Sequence, residues 1–115
     1  MKRMEYRGQL DEQRERSPLL LVQFGSAPCT PCTAISQKLD RFLEEHRQVE
    51  GLYVPLEDFP EDAAAQGIFT APAVLLFAEG RLTVRESGYF SLEDVCSRVL
   101  RYAELMQETE GGRIP

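Results

Sequence analysis

Two six-residue runs in this chain, Leu19–Phe24 (LLLVQF) and Ala73–Ala78 (AVLLFA), are almost wholly apolar. They lack the alternation of a half-exposed strand, and neither approaches the ~20 apolar residues that a membrane helix needs. Such short runs read as strands covered on both faces. This constrains the architecture strongly, because a sheet buried on both sides must have elements packed on both sides.

The rest of the chain supplies them. After Gly25-Ser26, residues Ile35, Leu39, Phe42 and Leu43 recur at helical spacing, with Lys38, Arg41, Glu44 and Glu45 between them. That helix should stop near His46–Glu50, before Gly51. A second strand is expected over Leu52–Glu57 (LYVPLE), although Pro55 fits a strand poorly away from an edge or bulge. Strand, helix, strand at this spacing is a parallel βαβ unit with a right-handed crossover. Phe59–Gly67 has a proline at its start, acids in its first turn and a closing glycine, which predicts a short helix. Glu79-Gly80 is a two-residue turn joining Ala73–Ala78 to a hairpin partner, Arg81–Ser87. Ser91-Leu92-Glu93-Asp94 resembles a capping box opening a last helix. Its buried stripe is Leu92, Val95, Cys96, Val99, Ala103 and Met106. Upstream, polar Gly8–Arg16 predicts a short surface helix ending before Ser17-Pro18. The expected class is α/β, parallel strands first and an antiparallel hairpin last. Residues 1–107 form one domain, and 108–115 (ETEGGRIP) a frayed tail.

With 115 residues, the chain has the size of a single domain. Its 43% hydrophobic and 28% charged residues indicate a soluble globule. A net charge of −6 argues against a nucleic-acid or anionic-membrane binder. The basic start has no apolar segment behind it, so no secretory signal is expected. Three cysteines, an odd number, suit a reducing cytoplasm better than a disulfide-built secreted domain. A monomer is expected.

Two cysteines stand in Ala27-Pro28-Cys29-Thr30-Pro31-Cys32, between the first strand and the long helix. Spacing alone allows a redox couple, half of a metal site, or two small buried residues. A zinc site needs four ligands, and the three cysteines with His46 would supply that count. His46, however, lies at the far end of the helix, about 20 Å from Cys29 at 1.5 Å per residue. No metal is expected within one chain. A Cys-x-x-Cys beside a βαβ pattern is a redox signal.

From Leu19 to Met106 the sequence resembles the thioredoxin family. A buried strand runs into Cys-x-x-Cys at a helix start; Gly67-Ile68-Phe69-Thr70-Ala71-Pro72 leads into a strand; an Ala78-Glu79-Gly80 turn follows; and Gly88 precedes the last helix. The resemblance implies the thioredoxin fold, a central mixed β-sheet flanked by helices on both faces. It also implies a cis proline at Pro72 facing the cysteines, an Ala71 backbone able to pair with an extended substrate, and Gly88 at the border of the substrate groove. Where the family typically has a buried Asp, this chain has Gln23, which cannot take a proton at neutral pH, so proton transfer would use water, Glu57 or no protein base at all. Pro28 and Gly25 stand where the family has Trp, which implies a reduced aromatic wall. Thr30-Pro31 replaces Gly-Pro.

The chemistry follows from position. At a helix start the free N–H groups and the dipole favour a thiolate, so Cys29 is assigned as nucleophile. Cys32, one turn further in, is the resolving thiol. Pro31 fits the first turn, where its missing N–H costs little. Thr30, Pro31, Gln23 and Pro28 are expected to support the site, and Ala71, Pro72 and Gly88 to bind substrate. The expected function is thiol–disulfide exchange on proteins as a cytoplasmic reductant. Its partners would be disulfide-containing proteins and a reductase-type electron donor, with no bound cofactor. The rivals are a thiol protein dedicated to one partner and a redox-inert module holding an extended peptide at Pro72.

Overall fold

The computed structural model describes residues 1–112, with side chains through residue 107. The elements run β1 (Lys2–Arg3), α1 (Gln9–Arg16), β2 (Leu19–Gly25), α2 (Thr30–Glu45), β3 (Glu50–Pro55), α3 (Pro60–Ala65), β4 (Ala73–Ala78), β5 (Arg81–Ser87) and α4 (Leu92–Gly112). They build one five-stranded sheet in the order β1-β3-β2-β4-β5. The first three strands are parallel, β4 runs antiparallel to β2, and β5 closes an antiparallel hairpin. This is the expected mixed sheet.

Alternate residues of the central strands feed two cores. Leu20, Val22, Phe24, Leu52, Val54, Leu75 and Phe77 pack with Leu10 of α1 and Ala63 of α3. Leu19, Leu21, Val74 and Leu76 pack with Leu39 and Phe42 of α2 and with Val95, Val99 and Ala103 of α4. Burial on both faces explains why β2 and β4 show no alternation. No helix among the described residues is long and apolar enough to cross a membrane.

Three local outcomes differ from the sequence reading. The short strand β1 was not anticipated; it pairs Lys2 with Leu52 and Arg3 with Tyr53, and the Met4 N–H extends the ladder to Tyr53 O at 2.8 Å. β3 begins and ends two residues earlier than expected, which settles the difficulty with Pro55. The Leu56 N–H donates to Gly25 O on the β2 side, so Pro55 faces the other edge, where β1 has already ended. No ladder donor is missing there. Helix α1 is more than a surface element: Leu10, Gln9 and Gln13 are buried. The Gln13 side chain and the Ser17 hydroxyl both donate to the Glu50 carboxylate, at 3.0 and 2.6 Å.

The turn between β4 and β5 places both Glu79 (φ 52°) and Gly80 (φ 78°) in the left-handed region, as a tight two-residue hairpin demands. At α4, the Asp94 N–H donates to Ser91 Oγ at 3.1 Å, so Ser91 is the expected cap. The expected frayed tail, 108–115, falls only partly on the described residues, and where it is described it is helical. The backbone of 108–112 continues α4, and 113–115 are not described.

Candidate active site

β2 ends at Gly25, and a four-residue loop delivers Cys29 to the N-cap of α2. Cys29 is extended there (φ −150°, ψ 96°), and its sulfur accepts the Cys32 N–H at 3.2 Å. Pro31 occupies the first turn, where no N–H is needed. Cys29 and Cys32 are joined as a disulfide, with Cα atoms 5.2 Å apart. The two sulfurs are not equivalent in access. Cys29 is half-buried and Cys32 only 3% exposed. Pro28 and Thr30 are exposed on either side of Cys29. His46 lies at the other end of α2, against the Phe42 ring. No group of potential metal ligands occurs among the described residues.

The sheet register brings the remaining expected residues to this end. Phe24 pairs with Ala73, so Pro72 sits beside the loop that follows β2. The Ala71–Pro72 peptide is cis, and the Pro72 carbonyl accepts the Gly88 N–H at 3.0 Å. Gly88 has φ 74°, a conformation that suits glycine. Ala71 is half-buried and Gly88 exposed, and Gly88 lines an open cavity together with Pro31 of α2. The Ala27–Pro28 peptide is also cis, which the sequence did not suggest.

Gln23 is fully buried, and both ends of its amide are bonded. Its Nε2 donates to Cys32 O at 2.9 Å, and its Oε1 accepts from Ser36 Oγ at 2.8 Å. Glu57 is engaged by the loop that enters the site. Its carboxylate accepts the Ala27 N–H at 2.8 Å, and this bond and its own backbone N–H hold it below the usual carboxylate range. It anchors the loop entering the disulfide.

The aromatic surface also differs from expectation. Gly25 does leave room, but Tyr53 from β3 fills it: a Cβ on Gly25 would come within 2.7 Å of Tyr53 Cε1. Burial pushes the Tyr53 phenol up, and Arg3 stacks over its ring at 5.4 Å. Phe69, 74% exposed, and the fully exposed Tyr89 stand on the two loops joined by the Gly88–Pro72 hydrogen bond. Aromatic area is therefore present but comes from other positions. Arg85 completes the frame by donating to Gln66 O at 2.6 Å and Gly67 O at 2.9 Å, at the end of α3. Tyr53, Ser36 and Arg85 carried no motif. The one signal was Gly25, a gap that a neighbouring strand had to fill. Cys96 is half-buried on α4, where burial raises its thiol pKa.

A Cys-x-x-Cys couple at a helix start on a mixed five-stranded sheet defines the class of disulfide oxidoreductases. The chain is 32% identical over 71 residues to a thioredoxin of Alicyclobacillus acidocaldarius, a match covering 61% of this chain and 68% of that protein. It is 27% identical over 79 residues to the thioredoxin-like protein YdfQ of Bacillus subtilis, covering 69% and 70%. Fasciola hepatica thioredoxin superposes with a TM-score of 0.79 at 23% identity, over 89% of this chain and 99% of that one. No family model matches. The chain belongs to the thioredoxin family, and with its Cys29–Cys32 pair it is a protein-disulfide oxidoreductase acting by thiol–disulfide exchange.

Proposed function

We propose that the chain reduces protein disulfides, with Cys29 as nucleophile and Cys32 as resolving thiol. The carrying observation is the unequal access of two sulfurs at one helix start: the N-cap sulfur is half-buried and the inner one 3% exposed. The helix terminus favours the thiolate on the outer sulfur. The Cys29 thiolate attacks one sulfur of a substrate disulfide. That bond breaks, one substrate sulfur leaves as a thiolate, and a mixed disulfide joins Cys29 to the other. Cys32 then loses its proton and attacks Cys29 Sγ. The second substrate thiolate leaves, and two electrons have passed from the dithiol to the substrate.

The Cys29–Cys32 disulfide formed in this way is reopened by a reductase-type donor, and no bound cofactor takes part. Substrate lies extended along Ala71 and Pro72, with Gly88 at the groove border and Pro28, Thr30 and Pro31 shaping the approach to Cys29. Residues 1–107 act as a single domain and a monomer. The reductant role places the protein in the cytoplasm, where the thiol pool keeps such a couple supplied.

NADPH-coupled reduction of insulin disulfides, with a flavoprotein thioredoxin reductase as donor, tests the reading. Turnover should vanish in Cys29→Ser, and Cys32→Ser should accumulate a covalent adduct with substrate. Absence of both turnover and adduct would instead indicate a module that only holds extended peptide at Pro72.

A further inference from the structure

Gln23 is the single polar side chain of β2. It spends both ends of its amide on one turn of α2, the turn that begins with Cys32. Cys32 O and Ser36 are four residues apart, so the backbone N–H of Ser36 is the ordinary helical partner of that carbonyl. Gln23 adds a second donor to Cys32 O, and the Ser36 hydroxyl closes the loop back onto Gln23. Both members are neutral across the working pH range. No carboxylate hydrogen-bonds to Gln23, Ser36 or Cys32 among the described residues.

The groups facing this clamp can be named by element. Tyr53 of β3 stands opposite Gln23 in register, and β4 presents only Val74. Beyond Ser36, an open cavity of about 300 Å³ is lined by Met1, Arg3, Asp40 and Tyr53, with Asp40 bound to the Met1 amino group at 2.6 Å. On the loop side, Glu57 is engaged by the Ala27 N–H, and Cys29 is the partner sulfur.

We propose that Gln23 and Ser36 are positioning residues for the resolving step: they fix the turn carrying Cys32 without offering it a proton acceptor. The attack of Cys32 on Cys29 Sγ then follows the ionisation of the Cys32 thiol alone, and the proton leaves to solvent. The inference rests on Cys32 being the resolving thiol.

The test uses the reduced full-length chain, with Cys96→Ser in every sample so that the free thiol of α4 releases no colour, and the symmetrical aromatic disulfide 5,5′-dithiobis(2-nitrobenzoate), followed by stopped flow. Cys29 releases the first coloured thiolate on forming the mixed disulfide, and Cys32 releases the second on closing Cys29–Cys32. In the unaltered protein the second phase should rise with pH through one ionisation. Ser36→Ala should slow that phase about three- to tenfold and leave the first unmoved, with Ser36→Thr restoring it. Gln23→Asp should add a second, lower ionisation. The inference is overturned by two ionisations in the unaltered protein, by equal slowing of both phases in Ser36→Ala, or by an unchanged Gln23→Asp profile. Should Gln23→Asp fail to fold, the Ser36 pair decides. A second phase that survives in Cys32→Ser would overturn the functional reading itself. Loss of that phase in Cys32→Ser with none of the Ser36 effects would overturn only the clamp.

Discussion

The two faces of β2 have different fates. Toward α1 and α3 the strand contributes Leu20, Val22 and Phe24, apolar to its end. Toward α2 and α4 it contributes Leu19 and Leu21, then Gln23 and Gly25. The first face only packs. The second gives up apolar burial over its last two residues and gains a hydrogen-bonded amide under Cys32 and a gap filled by Tyr53. The site is thus made by interrupting the core on one face, while the other face carries the stability that permits it.

This contrast can be tested by altering one face at a time. Phe24→Ala, on the uninterrupted face, should cost about 3–5 kcal/mol in urea unfolding and leave the exchange rate per folded molecule unchanged. A rate that falls as well would mean that the faces are not separable. On the interrupted face, Gly25→Ala drives a Cβ into the Tyr53 ring and should cost about 1–3 kcal/mol. Most of that cost should disappear in a Tyr53→Ala background, as a double-mutant cycle would reveal. A full penalty in both backgrounds would show that Tyr53 is not what excludes a side chain at 25.

The smallest effect lies at the opposite end of the sheet. Ser17 first, and then Gln13, hold the Glu50 carboxyl below its ordinary value. A lowered folded pKa contributes stability at higher pH and loses it as pH falls through the folded value. The melting-temperature advantage of the unaltered chain over Glu50→Gln should therefore be present at neutral pH and shrink below about pH 4.5. Glu50 is exposed, so the advantage is small and salt-sensitive.

Much of this was legible in the sequence because the relevant signals are local. Unbroken apolar runs gave β2 and β4, the Glu79-Gly80 turn fixed the hairpin, and the spacing of Ile35, Leu39 and Phe42 gave α2. The cysteine pair, Pro72 and Gly88 stood out as a pattern. What escaped notice is held by partners distant in the chain. Lys2-Arg3 has no strand signature and becomes one only by pairing with Leu52-Tyr53. Pro55 made β3 look misplaced until β1 proved to end short of it. Ser36 and Tyr53 reach the site through sheet register and helix packing, which residue type alone does not announce. The aromatic surface was underestimated for the same reason: Gly25 and Pro28 showed what was missing, but not that Tyr53, Phe69 and Tyr89 would supply it.

Arg85 belongs to the hairpin, yet its guanidinium grips the two carbonyls just past α3, and Gly88 on the same strand's exit binds Pro72. The segment between, Ile68–Ala71, is thereby fastened at both ends through its backbone, while Phe69 and Thr70 point their side chains to solvent. Shape and vocabulary are separated in this stretch. Its side chains can be rewritten, by evolution or by design, while the contour of the segment stays as the hairpin dictates.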